Sequence, residues 1–168
     1  MTADTDPDGT GLDRLRDLVA DLGTLGNGDL LAWAGPGDVD AVADEVFAVV
    51  NDAGLLGGDE SAWAVSVPAD GDALMSRMWE VDESAAIGLL TQLAGRTRQR
   101  RHRLQRLRQE EPVDVFAEIS SLTGPATRWW TNTDLTRWNP ITQHDFDAIV
   151  VGAGNGLIVT VIAFEGGE

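Results

Sequence analysis

The first helix that the pattern of apolar positions predicts lies in residues 12–22, where leucine and valine recur every three or four positions. Thr10 and Asp13 have the spacing of a capping box at its start, and Gly23 marks its end. Residues 1–10 are acidic, poor in apolar side chains and rich in turn formers. We therefore expect a disordered acidic leader followed by an amphipathic helix.

A second apolar stripe runs through residues 39–50, where valine recurs at helical spacing. Asp38, a good N-cap residue, stands before this stripe and follows the breaker Gly35-Pro36-Gly37. Gly54 comes just after the stripe, where helices commonly end in a left-handed residue. The pattern predicts a second helix that starts at Asp38 and ends before Gly54.

In the middle of the chain, the spacing of apolar residues changes several times between that of a strand and that of a helix. Residues 61–67 alternate in polarity and predict a short strand, while residues 72–80 fit either a helix or a strand. The pattern is helical again from 82 to 111, and one long helix or two consecutive helices both fit it. A proline at 112 ends this stretch or begins a short helix over 112–122, which Gly124 closes.

Two apolar, β-branched runs near the C-terminus, residues 146–151 and 157–164, predict a β-hairpin. Asn155-Gly156 lies between them, and it is a strong turn signal because a type I′ turn needs positive φ at both central positions. The turn sets the cross-strand pairs Val151 with Thr160, Ile149 with Ile162, and Asp147 with Phe164. Both faces are then apolar, so we expect helices on one face and the rest of the core on the other. The alternative is a partner subunit on the second face or along an exposed edge.

The glycines of this region resemble, over about ten residues, the glycine loop that opens many flavin- and nicotinamide-binding proteins. Gly152, Gly154 and Gly156 have the wrong spacing for that loop, and only twelve residues follow Gly156. A dinucleotide fold also needs a helix directly after the loop, whereas residues 157–164 have a strand pattern. The sequence therefore predicts a hairpin turn here and no cofactor.

These elements together predict an α+β fold, in which a helical N-terminal two-thirds packs on a small, mainly antiparallel sheet ending in the C-terminal hairpin. A chain of 168 residues fits one domain, which we place at 11–168 after the leader. There is no Cys, so a disulfide and a thiolate metal site are excluded. The chain has neither a signal-peptide pattern nor an apolar run of about 20 residues, so we expect a soluble, cytoplasmic protein without a membrane partner.

The formal net charge is −16, every one of the twelve basic residues is arginine, and Asp outnumbers Glu by nineteen to nine. Such a Lys-free, Asp-rich composition is typical of proteins from salt-loving archaea or high-GC bacteria. In a salt-loving organism the carboxylates keep a protein hydrated, and the net charge then says little about function. The alternative is an acidic surface that mimics nucleic acid or binds a basic partner.

Seven of the twelve arginines lie in one segment, residues 96–111, which has a formal net charge of +5. Residues 1–95 carry −16 and residues 112–168 carry −5, so this segment is a cationic island in an acidic chain. The seven residues are Arg96, Arg98, Arg100, Arg101, Arg103, Arg106 and Arg108.

On a helix, Arg96 and Arg100 fall on the same stripe as Leu89 and Leu93. Because unpaired charge is costly to bury, the segment projects into solvent, pairs with acidic surfaces of the same or another copy, or meets an anionic partner. Arginine also forms bidentate contacts with phosphates, so nucleic acid is a candidate partner. The acidic remainder of the chain would repel that ligand.

A tryptophan cluster follows, since Trp129, Trp130 and Trp138 lie within ten residues and beside Arg128 and Arg137. Cation–π contacts are expected there, and the cluster forms either a binding surface or an aromatic edge of the core. The predicted partner-binding residues are Arg96, Arg100, Arg101, Arg103, Arg106, Arg108, Trp129, Trp130 and Trp138. The remaining tryptophans are expected in the core: Trp33, Trp63 and Trp79.

The best catalytic candidates are His144, Asp145 and Asp147. On a strand the two aspartates share a face, as a carboxylate pair or half a metal site would require. The only other histidine, His102, lies among the arginines, so a complete ligand set is missing from the pattern. We predict that the protein is not an enzyme, with no catalytic, cofactor-binding or metal-binding residue and no small-molecule substrate.

The leading hypothesis from the sequence is a non-enzymatic protein-interaction or assembly module that binds a protein partner or its own copies. A subunit of a larger complex, a virion component or an immunity-like inhibitor would each fit this description. The alternative is a nucleic-acid-binding regulator that uses the helix of residues 96–108. A hydrolase based on His144, Asp145 and Asp147 is the third hypothesis.

Overall fold

The computed structural model describes residues 10–25, 30–56, 68–101, 112–134, 136–142 and 146–165. The helices in these ranges are α1 (Thr10–Leu25), α2 (Val42–Asp52), α3 (Gly71–Met75), α4 (Glu83–Arg101) and α5 (Pro112–Thr123), with a 3-10 turn at Val39–Ala41. The strands are β1 (Leu30–Pro36), β2 (Trp79–Val81), β3 (Arg128–Thr131), β4 (Phe146–Gly154) and β5 (Leu157–Glu165). The predicted α+β class is confirmed.

The strands form one sheet in the order β1-β5-β4-β3-β2, and every neighbouring pair is antiparallel. The predicted hairpin of β4 and β5 occupies the centre of this sheet. Its register matches the predicted one: Val151 with Thr160, Ile149 with Ile162, and Asp147 with Phe164. Asn155 and Gly156 have φ of 54° and 73°, the positive values that the turn requires, and a strand rather than a helix follows Gly156.

Alternate residues of the hairpin point to opposite faces of the sheet, and helices cover both faces. The face with Val150 and Val161 packs against buried side chains of α1, α4 and α5. The face with Ile149 and Ile162 packs against α2 and α3. The sheet therefore lies between two helical layers, and the second apolar face is covered by this chain's own helices rather than by a partner subunit.

Strand β1 is the element that the sequence pattern does not predict. It contains no β-branched residue and ends in Gly35-Pro36, a pair that favours a chain break. Its position explains this, because among the described residues β1 pairs with β5 alone and forms an edge of the sheet. At an edge, the missing N–H of a proline costs no hydrogen bond of the ladder. Ala32 and Trp33 still alternate between the two cores.

The other boundaries lie close to the sequence signals. Asp38 caps the 3-10 turn that precedes α2, its carboxylate accepting from the N–H of Asp40 at 3.0 Å. Gly54 and Gly124 have φ of 75° and 88°, as predicted for residues just past a helix end. The ambiguous stretch 72–80 divides into the end of α3 and the start of β2.

Several sequence predictions fall outside the described ranges. These are the leader at 1–9, the strand at 61–67 and the part of the helical stretch at 102–111. Within the described parts of the chain, no helix is both long and apolar enough to cross a bilayer.

The glycines that resemble a nucleotide loop have packing roles. A Cβ on Gly152 would lie 2.6 Å from Cζ3 of Trp129, so the indole ring needs the bare backbone of β4 beneath it. A Cβ on Gly154 would clash with the carbonyl oxygen of Thr123 at the end of α5. These close approaches explain a glycine-rich end to a central strand without any ligand.

Candidate partner-binding surface

Helix α4 begins in the core and ends among arginines. Its first half packs against the sheet through Ala86, Leu89, Leu90 and Leu93, all of which are buried. The helical backbone continues past Leu93 as far as Arg101. Beyond Leu93 the sequence becomes rich in arginine, although the helix continues.

The predicted partner-binding arginines divide between described and undescribed residues. Arg96, Arg100 and Arg101 lie on α4, whereas Arg103, Arg106 and Arg108 lie outside the described ranges. At 3.6 residues per turn, Arg96 and Arg100 continue the stripe that holds the buried Leu89 and Leu93. The described start of the cationic segment, residues 96–101, is thus the continuation of a helix that the core anchors.

Charge is distributed unequally between the two helical layers. Residues 17–76 contain twelve acidic residues and no arginine, and they include α2 and α3 on one face of the sheet. Helix α4 lies in the opposite layer, where it packs with α1, α5 and β3. The sheet therefore separates the arginine-bearing helix α4 from α2 and α3, two helices without a basic residue, although residues 17–25 of α1 lie in the same layer as α4.

Trp129, one of the predicted partner-binding residues, is a core residue. Its side chain is 1 % exposed, and its ring packs over Gly152 in the same cluster as α4 and α5. Its indole Nε1 has no hydrogen-bond partner among the described residues. The core interpretation holds for this tryptophan, and in this fold its ring is not part of the surface.

Trp130 lies on the other face of β3 and is half-buried. The guanidinium of Arg128 lies 5.1 Å from the centre of its ring, which is one of the expected cation–π contacts. Glu80, directly opposite Trp130 on β2, accepts two hydrogen bonds from that guanidinium, at 3.0 and 2.8 Å. These hydrogen bonds, and then the charge of Arg128, lower the pKa of Glu80.

Arg137 makes the second cation–π contact, with Trp79 of β2 rather than with its sequence neighbours. Its guanidinium lies 4.2 Å from the ring centre of Trp79. Trp79 is half-buried and shares the face of its strand with Val81, so the sequence prediction of a core tryptophan is only partly met. The edge formed by β2 and β3 therefore carries an arginine stacked on a tryptophan on each of its two faces.

Trp138 is half-buried and is held by the buried carboxylate of Asp147, to which its Nε1 donates at 3.3 Å. Asp147 is 0 % exposed and accepts four further donors. These are Asn132 Nδ2 at 2.6 Å, Ile141 N at 3.1 Å, Thr142 N at 2.7 Å and Thr142 Oγ1 at 2.9 Å. A carboxylate so fully hydrogen-bonded is stable in the interior without a cation beside it.

The Asp147 carboxylate thus anchors the segment 132–142, which carries Arg137 and Trp138. The same segment is tied to the chain before β2, because Arg77 Nη1 donates to Pro140 O at 3.1 Å and Asn139 Nδ2 donates to Arg77 O at 3.1 Å. These bonds fix the segment beside β2 and explain why a loop residue can stack on Trp79.

A catalytic arrangement does not emerge around Asp147. His144 and Asp145 lie outside the described residues, so the predicted carboxylate pair stays a prediction. Both oxygens of Asp147 are occupied by the donors of segment 132–142. In the described parts of the chain, no group of three or more His, Cys, Asp or Glu side chains could hold a metal ion.

Sequence reasoning missed Trp79 and Glu80 as members of this surface. Both come from a three-residue strand whose neighbour in the sheet lies far away along the chain, and no local pattern indicates that pairing.

Comparison of the chain with protein-family models, with curated proteins and with solved structures gave no match.

Proposed function

We propose that the chain is a non-enzymatic protein-interaction module whose arginine segment, residues 96–108, binds an acidic protein surface. The stripe of α4 supports this most directly, because buried leucines up to Leu93 give way to Arg96 and Arg100. Guanidinium groups that continued this stripe into an apolar core without partners would be costly. Carboxylates on a second surface satisfy them well, because the planar fork of arginine binds a carboxylate through two hydrogen bonds.

The acidic surface belongs to a second copy of this chain in this proposal. Within one copy, the acidic helices α2 and α3 lie on the far side of the sheet, while α4 packs with α1, α5 and β3. An intermolecular contact would let the cationic segment pair with the acidic residues of α2 and α3 on a second copy. Nucleic acid would use the same arginines, but the remaining surface of a chain with net charge −16 would repel it.

The test is the molar mass of the full-length protein by light scattering during size-exclusion chromatography, across a salt series. At about 0.1 M salt the screening length is about 10 Å, so repulsion across the whole molecule is screened while contact pairs persist. We expect a self-associated species there that dissociates towards about 1 M salt. Arg103→Glu should weaken the association.

Arg16→Glu is the matched control, because it makes the same charge change at an exposed position of α1. It should leave the association unchanged. A protein that stays monomeric throughout the salt series contradicts the proposal. Binding of a DNA duplex at low salt that Arg103→Glu abolishes would favour the nucleic-acid alternative instead.

A further inference from the structure

The edge formed by β2 and β3 shows the same arginine-on-tryptophan stack twice, once with a carboxylate bound and once without. Arg128 lies over Trp130, and its outer edge is occupied by the carboxylate of Glu80. Arg137 lies over Trp79 at 4.2 Å and is exposed. Among the described residues, no carboxylate lies within salt-bridge distance of Arg137.

Arg137 is held in place by its backbone hydrogen bonds and its contact with Trp79, and among the described residues its guanidinium donates no hydrogen bond. Its backbone N–H donates to Asp134 Oδ1 at 2.6 Å, and its carbonyl accepts from Thr133 Oγ1 at 3.0 Å. The guanidinium carbon of Arg137 lies over the ring of Trp79. The N–H groups of a guanidinium lie in its plane, so contact of its flat face with a ring leaves them able to donate. The Asp134 oxygen near Arg137 already accepts from Thr136 and from backbone N–H groups.

We propose that Arg137, stacked on Trp79, is a recognition site for the carboxylate of an Asp or Glu side chain on a second copy of this chain. Glu80 on Arg128 shows the geometry that this carboxylate adopts, with two hydrogen bonds to the outer edge of a stacked guanidinium. The arginine-free stretch 17–76 supplies carboxylates on every copy, among them that of the exposed Asp52 of α2.

This inference rests on the proposed function, since it names the partner and adds a second contact. Stacking fixes the guanidinium before binding, so less conformational entropy is lost on association. Tryptophan and arginine are also the residue types enriched at the points that dominate binding energy. A contact of this kind is expected to depend on the fork of arginine, so lysine would not replace it.

Sedimentation equilibrium of the full-length protein at about 0.15 M salt tests the inference. Arg137→Gln and Arg137→Lys should each raise the dissociation constant of the self-associated species about tenfold or more. Arg128→Gln is the matched control, because that arginine has the same stacking but binds its own Glu80. It should change the dissociation constant less than about twofold, and near-UV circular dichroism checks that all variants keep the fold.

An NMR measurement separates a direct contact of Arg137 with a second copy from an indirect effect of its substitution on the structure. The Nε–Hε NMR signal of Arg137 should shift as the wild-type protein is concentrated, whereas that of Arg128 should stay in place. If the wild type associates and both Arg137 variants match it, the inference is overturned while the proposed function stands. If the Arg137 variants dissociate but Arg103→Glu does not, the role proposed for residues 96–108 fails instead. A monomeric wild type overturns both.

Discussion

Asn132 and Asp147 join the segment after β3 to the central strand β4 through both ends of the asparagine amide. Asn132 Nδ2 donates to Asp147 Oδ1 at 2.6 Å, while Asn132 Oδ1 accepts from the N–H of Ile149 at 2.7 Å. Both side chains are 0 % exposed. The pair therefore satisfies polar groups that would otherwise be left unpaired inside the sheet, and it sets where segment 132–142 starts.

Asp147→Asn should destabilise the protein although it preserves the shape of the side chain. One carboxylate oxygen becomes an NH2 group that faces further donors, because the backbone N–H groups of Ile141 and Thr142 both point at this carboxylate. We expect the free energy of unfolding to fall by about 2–4 kcal/mol. Urea unfolding followed by circular dichroism measures it.

Asp44→Asn is the control for the loss of one negative charge, because Asp44 lies exposed on α2. It should change the free energy of unfolding by less than about 0.5 kcal/mol. Equal effects of the two substitutions would show that the network around Asp147 does not hold segment 132–142 in place.

The parts of the fold that local chemistry dictates could be predicted from the sequence. The hairpin is one, because Asn155 and Gly156 fix its turn and the alternation of apolar residues fixes its register. Strand β1 could not be predicted, because Leu30–Pro36 is a strand only through its pairing with β5. Tertiary context there overrides a weak local preference.

The contacts of the candidate surface also divide into those that the local sequence predicts and those that depend on tertiary structure. The contact of Arg128 with Trp130 could be anticipated, since the two residues lie next to each other on one face of a strand. The contact of Arg137 with Trp79 could not, because it depends on β2 pairing with β3 and on the anchoring of segment 132–142. The burial of Trp129 could not be predicted either, since alternation alone does not say which face of β3 is the more deeply buried.

Gly152→Ala should destabilise the protein through a steric clash with Trp129. The added Cβ would lie 2.6 to 2.8 Å from three atoms of the indole ring, which is buried and cannot move freely. We expect a loss of about 1–3 kcal/mol, measured by urea unfolding. In a Trp129→Leu background the same substitution should cost less, because the ring that it meets is gone.

Gly88→Ala is the same type of substitution as Gly152→Ala, but we expect it to stabilise the protein. Gly88 lies exposed on α4, and a Cβ there would meet no atom within 4 Å. The substitution should raise the free energy of unfolding by about 0.5–1 kcal/mol, since alanine favours the helix. A stabilising effect of Gly152→Ala as well would contradict the close approach of β4 to Trp129.

Asp134 gives a pH dependence with a defined sign. The hydroxyl of Thr136, then the backbone N–H groups of Arg137 and Thr136, lower the pKa of Asp134 from 3.8 to about 2. A carboxyl whose folded pKa is lowered stabilises the fold fully above its unfolded pKa and loses that contribution as the pH falls towards its folded pKa. The contribution should therefore disappear between pH 3.8 and about pH 2.

Asp134→Asn isolates this effect, because asparagine keeps the oxygen that accepts all three hydrogen bonds but does not titrate. Urea unfolding of both proteins across this window should show a smaller decline for the variant. Carbon-13 NMR of the Asp134 carboxyl group gives its pKa directly. A value at or above 3.8 would rule out the hydrogen bonding that the turn displays.

The last prediction concerns Asn155, which links the hairpin turn to the end of α5. Its φ is 54°, and its Nδ2 donates to the carbonyl oxygen of Leu122 at 3.1 Å, one of the last carbonyls of that helix. Asn155→Gly removes the hydrogen bond but keeps access to positive φ, so we expect a loss of about 0.5–1.5 kcal/mol. Asn155→Ala also forces a Cβ-bearing residue into the left-handed region, which should cost about 1–2 kcal/mol more. Urea unfolding of the two variants should therefore rank glycine above alanine, and the reverse order would mean that the turn is not type I′.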